Sequence, residues 1–127
     1  MMRALIVGFL ILFGLAAAPM GAVQAQENAS MTWKLRSFDK HPVELKFYSR
    51  SRKVEWPAPG QVWVLRDFQV KNFNLRCVPG EKICYGAWQR GNTNKYWGIG
   101  RNGKDGCKDC CYTCKDGLVT TTFDLNE

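Results

Sequence analysis

Residues 107–114 read C-K-D-C-C-Y-T-C, which crowds four of the six cysteines into eight positions; the other two are Cys77 and Cys84. Each thiol must be bonded, bound to metal or left reactive, so this cluster constrains the fold more than any other feature. A disulfide framework suits an even number of cysteines in a small exported domain. Zinc would suit the two C-x-x-C pairs, Cys107/Cys110 and Cys111/Cys114. The two halves of a zinc site are usually about a dozen residues apart or more, however, and here they abut. Thiol–disulfide exchange also uses C-x-x-C, but in a βαβ setting that this chain lacks. Disulfides are therefore the favoured reading. Zinc binding by Cys107, Cys110, Cys111 and Cys114 and redox chemistry are the alternatives, and no cofactor is expected.

Adjacent residues of an extended chain point to opposite faces, so Cys110 and Cys111 should bond to different partners. In L-R-C-V-P-G-E-K-I-C-Y-G-A-W a four-residue loop over 79–82 sets Cys77 opposite Cys84. Facing Cα atoms lie about 4.5–5.5 Å apart, which a disulfide accepts. The preferred set is Cys77–Cys84 plus two bonds within the C-terminal cluster, with both Cys77 and Cys84 pointing into the core. The rival ties Cys77 or Cys84 to that cluster.

The N-terminus explains why an oxidising setting is expected. Arg3 precedes an uninterrupted apolar run over 4–18, then Pro19, Gly21 and an A-x-A-like V-Q-A ending at Ala25. This is the layout of a secretory signal peptide over residues 1–25. A retained anchor is the alternative, since about 20 apolar residues just suffice to span a bilayer; after cleavage no membrane span is expected. Removal of Arg3 takes the formal charge from +7 to +6. A cationic exported protein meets anionic partners readily, whether polysaccharide, lipid head group or acidic protein. Nothing points to a specific nucleic acid.

The remainder reads as strands. Residues 26–41 look like a loose lead-in, and 42–127 like a single β-rich domain. Val43, Leu45 and Phe47 alternate with Glu44, Lys46 and Tyr48, and Phe73, Leu75 and Cys77 alternate with Asn72, Asn74 and Arg76. This period of two predicts half-buried strands. Further strands are expected over 61–65, 83–90, 96–100 and 118–125, with turns at W-P-A-P-G and G-N-T-N. No stretch has helical apolar spacing. The expected class is all-β, a small antiparallel sandwich or barrel stapled by disulfides.

G-E-K-I-C-Y-G-A-W over 80–88, Y-W-G-I-G over 96–100 and the cysteine cluster together make the chain resemble a group of small, uncharacterised, cysteine-rich exported proteins of Gram-negative bacteria. The resemblance implies a periplasmic or secreted setting and a cysteine-stapled domain. It brings no activity and no functional residue with it.

The candidate site is a basic run. In L-K-F-Y-S-R-S-R-K, Lys46, Tyr48, Arg50 and Arg52 fall on one side of an extended strand at about 6.5–7 Å spacing. With Lys53 beside them they form a cationic ladder suited to phosphates, sulfates or uronates, because arginine's planar fork grips such groups bidentately. Trp56, in a Pro-rich turn, is expected to be an exposed stacking surface, and Trp97 exposed as well; Trp88 should be core. G-I-G-R-N-G over 98–103 matches G-x-G-x-x-G, but the turn residues after it lack the helix a dinucleotide site needs. His41, the only histidine, has no motif-bearing nucleophile near it. The expectation is a non-enzymatic exported binding module for an anionic envelope component or acidic partner, with a protein inhibitor or interaction module as the alternative.

Overall fold

Ala29, Met31, Trp33 and Leu35 are buried while the residues between them are half-exposed, and this alternation makes β1 (Ala29–Ser37) the middle strand of a sheet. The lead-in expected over 26–41 is therefore largely a core strand. The computed structural model describes residues 26–126 and, by itself, Gly14; the expected signal peptide lies outside the described residues apart from that glycine.

Nine strands form two sheets among the described residues. In the first, β1 pairs antiparallel with β5 (Lys71–Cys77) and parallel with β9 (Val119–Leu125). The parallel pair departs from the all-antiparallel expectation. It carries a bulge, because Thr32 pairs with Val119 but Lys34 with Thr122. The buried Thr120 fills the gap with its Oγ1, which accepts the Lys34 N–H at 3.1 Å.

In the second sheet β2 (Val43–Ser49) pairs along its length with β6 (Lys82–Gln89). Its other edge is shared by β3 (Glu55–Trp56) and β4 (Trp63–Leu65). The far edge of β6 is shared by β7 (Asn92–Gly98) and β8 (Cys111–Thr113). The inner faces meet around Trp33, whose ring contacts Phe47, Tyr85, Tyr112 and Phe123 at centroid distances of 4.9–6.3 Å. Burying each such ring contributes about 1.5–3 kcal/mol. The all-β, disulfide-stapled sandwich is what the structure shows.

The preferred disulfide pattern is corrected. The bonds are Cys77–Cys114, Cys84–Cys111 and Cys107–Cys110. Strands β5 and β6 are not a hairpin: the chain turns a corner over 78–81 and passes from one sheet to the other. Cys77 stays in the main core, but Cys84 lies on the outer face of its sheet, in a second small cluster with Tyr48 and Ile99. The adjacent Cys110 and Cys111 do take different partners. All described cysteines are paired, so neither the zinc set nor free thiols exist in this state.

That second cluster sits beneath the loop 99–106, which folds back over the sheet. The fold-back depends on glycine. A Cβ on Gly98, whose φ is +65°, would overlap the Tyr85 carbonyl oxygen, and one on Gly86 would overlap the Gly100 carbonyl oxygen. G-x-G-x-x-G here lets backbone lie on backbone, as glycine alone permits. Gly98→Ala is expected to cost about 3 kcal/mol or more, from the left-handed backbone together with the overlap. Gly60→Ala, at a similar φ of +73° in open space, should cost only about 1 kcal/mol. Chemical denaturation of the two variants checks the contrast.

Candidate functional site

The basic run leaves β2 at Ser49 and continues into the loop 50–54. It does not form the uniform ladder that its spacing suggests. Lys46 is buried and ion-paired with Glu55. Tyr48 is buried, and its hydroxyl donates to the Arg101 carbonyl. Burial, reinforced by the Glu55 charge and opposed by Arg101, pushes the Tyr48 phenol up to about 12, so it is a neutral donor at physiological pH. Arg52 is occupied by two carboxylates: Nε and Nη2 reach Glu81 at 2.8 and 2.7 Å, and Nη1 reaches Glu27 at 3.1 Å. Trp56 is buried rather than an exposed stacking surface. Its pairing opposite Phe47 turns the ring into the core, and its Nε1 donates to the Arg76 carbonyl at 3.0 Å.

Two of the predicted cations keep their charge available. Arg50 and Lys53 are exposed and make no ion pair among the described residues. They border a groove of about 570 Å³ between the 49–55 segment and the loop 99–106, together with Tyr48, Arg52 and Glu55. The loop adds Asn102, Gly103 and Lys104 to the opposite wall. Arg50 spans the gap, donating from Nη1 to the Gly103 carbonyl at 2.8 Å. Lys104, like Lys53, is exposed and without an ion pair among the described residues. Lys104 and Asn102 lie some fifty residues from the basic run, and nothing in the chain marks them as its neighbours. Glycine density over 98–106 signals a close backbone approach, but not what is approached.

Of the remaining tryptophans, Trp88 is buried as expected, although on the outer face, where its Nε1 donates to Glu44 at 2.6 Å. Trp97 is half-buried, with Nε1 donating to the Asn126 carbonyl at 2.8 Å. His41 is exposed beside the buried Asp39, its Nδ1 3.3 Å from Asp39 Oδ1, while Lys95 Nζ lies 2.5 Å from Oδ2. Burial raises the Asp39 carboxyl, but Lys95 and the His41 N–H outweigh it and hold the pKa below the usual value. Asp39 thus anchors the 39–42 loop to β7.

Among the described residues no three His, Cys, Asp or Glu side chains gather as a metal site, and no helix is long and apolar enough to cross a membrane. Compared with protein-family models, curated proteins and solved structures, the chain matches none. Three disulfides in so small a domain fit an oxidising, non-cytoplasmic environment.

Proposed function

We propose that this is a periplasmic or secreted, non-enzymatic binding module that holds an anionic polymer in the groove bounded by Arg50, Lys53 and Lys104. The observation that carries this reading is a division of labour among the cations. Lys46 and Arg52 are neutralised by Glu55 and Glu81, whereas Arg50, Lys53 and Lys104 face one groove without carboxylate partners among the described residues. A groove of this kind suits a uronate, sulfate or phosphate chain. Arginine offers a bidentate fork, the lysines offer point charges, and the Asn102 amide can hydrogen-bond a neutral hydroxyl.

The test is calorimetric titration with polygalacturonate at several salt concentrations. Binding should weaken steeply as salt rises, since exposed charges are screened over about 8–10 Å at physiological ionic strength. The triple variant Arg50→Gln/Lys53→Gln/Lys104→Gln should bind about tenfold more weakly, from about 0.5 kcal/mol per exposed contact. No binding, or binding indifferent to salt, overturns the proposal.

A further inference from the structure

We propose that the end of the sandwich bearing Phe38, Phe68 and Val70 is a membrane-docking tip, which places Phe68 in the interface of an anionic lipid bilayer. The inference does not rest on the groove. The groove adjoins the Ser49 end of β2 and the tip adjoins its Val43 end, about 20 Å apart at strand rise.

Three of the five exposed large hydrophobic residues among those described lie at this end. In the antiparallel β1–β5 register Leu35 faces Lys71, so one step further out Arg36 flanks Val70. Phe38 is held at the end of β9 by its N–H, which donates to the Leu125 carbonyl at 2.9 Å. Phe68 shares a depression of about 270 Å³ with Lys40, His41, Pro42 and Arg66, and with the acids Asp39 and Asp67.

Phe68 is the unusual residue. It is 51% exposed, and its φ of +55° follows Asp67 at +67°. Two consecutive left-handed residues make the kind of turn that favours Asn-Gly, and a bulky side chain is strained there. Glycine would serve the backbone better. The ring is absent from the main core cluster, so the chain carries backbone strain for an aromatic that leaves half its surface in water. Strain of this sort is a pointer to function.

The surroundings favour lipid over other occupants. Lys40, Arg66 and Lys71 are exposed and make no ion pair among the described residues, whereas Arg36, over the Phe38 ring at 4.6 Å, is paired with Asp124 at 3.0 Å. The exposed Asp67 sits in the same rim, yet three unpaired cations against one unpaired acid leave it net positive, which suits anionic head groups above and acyl chains below, with the long basic stems lying along the boundary. A second copy of the chain would bring the same cations together, which opposes self-association through this face.

The test is co-sedimentation of the disulfide-bonded protein with vesicles of phosphatidylglycerol and phosphatidylcholine, against phosphatidylcholine alone. The protein should bind the anionic vesicles and not the neutral ones. Phe68→Gly should lower the partition coefficient about tenfold or more while melting at the same temperature or higher, because glycine relieves the turn. Those opposite directions separate lost binding from lost fold. Lys40→Gln/Arg66→Gln/Lys71→Gln should also lose binding, and the triple groove variant should keep it. The proposal fails if neither vesicle binds, if neutral vesicles bind equally, or if Phe68→Gly binds like the parent. It also fails if Phe68→Gly abolishes a dimer in sedimentation velocity and leaves vesicle binding unchanged, which would assign the patch to a second copy.

Discussion

Replacing Cys77 and Cys114 together by alanine should cost about 4 kcal/mol through loop entropy alone, because that bond closes the widest loop, with a sequence separation of 37. The Cys84–Cys111 bond, with a separation of 27, should be worth about 3.5 kcal/mol, and Cys107–Cys110, with a separation of 3, only about 1.5 kcal/mol. The Cys77–Cys114 loss is compounded by place. Both residues belong to the main core, and removing their sulfurs leaves space among large side chains. Domains of this size have net stabilities of about 5–15 kcal/mol. The Cys77→Ala/Cys114→Ala protein should therefore be marginal, while Cys107→Ala/Cys110→Ala should unfold cooperatively near the parent midpoint. Guanidinium unfolding of the three double variants gives the order. Reduction should proceed from the outside inward, since Cys107 is exposed whereas Cys77 and Cys84 are wholly buried. A strong reductant that leaves the fold intact, or an inverted order of costs, would remove the claim that these bonds hold the sandwich together.

What could be read from the chain follows the range of each signal. The alternation of Val43, Leu45 and Phe47, and of Phe73, Leu75 and Cys77, is local, and it located β2 and β5 to within a residue or so. The alternation of Met31, Trp33 and Leu35 is as clear, yet the segment reads as a lead-in because no turn links it to a neighbouring strand. Its partners, β5 and β9, lie far along the chain. The cysteine pairing failed for a related reason. V-P-G-E looks like a hairpin turn, and whether a turn closes a hairpin or carries the chain to a second sheet is decided by the packing of both sheets.

The site shows the same division. The basic residues were evident, but their state of charge pairing was not. Glu55 and Glu81 are ordinary acids in sequence. Only strand pairing and the 78–81 corner place them on Lys46 and Arg52. The face of Trp56 likewise follows from its register opposite Phe47, two residues after a loop that breaks the parity count.

That corner carries the other large expected effect. The Glu81 side chain is 2% exposed and accepts four hydrogen bonds: from Arg52 Nε and Nη2 at 2.8 and 2.7 Å, from Ser49 Oγ at 2.7 Å, and from the Val78 N–H at 2.7 Å. Its backbone is bonded to Cys114, whose N–H donates to the Glu81 carbonyl at 2.8 Å. One carboxylate therefore joins the end of β2, the basic loop and the passage between sheets. Glu81→Ala should cost about 2–4 kcal/mol at neutral pH, since it leaves the Val78 amide without its acceptor and the partly buried Arg52 guanidinium with Glu27 alone. Glu81→Gln keeps the shape but not the charge, and should recover only part of that.

Acid provides the control. Burial raises the Glu81 pKa, but the bonds from Arg52, Val78 and Ser49 outweigh it, and the folded value lies below the ordinary 4.5. Stability from such a group is complete above the unfolded pKa and is lost as pH falls through the folded one. The gap between parent and Glu81→Gln should thus be wide at pH 7 and shrink through and below about pH 4. The depressed Asp39 lowers both curves alike and leaves their difference to Glu81. A gap of constant size from neutral pH down to acid would mean that the carboxylate's charge does not hold the corner.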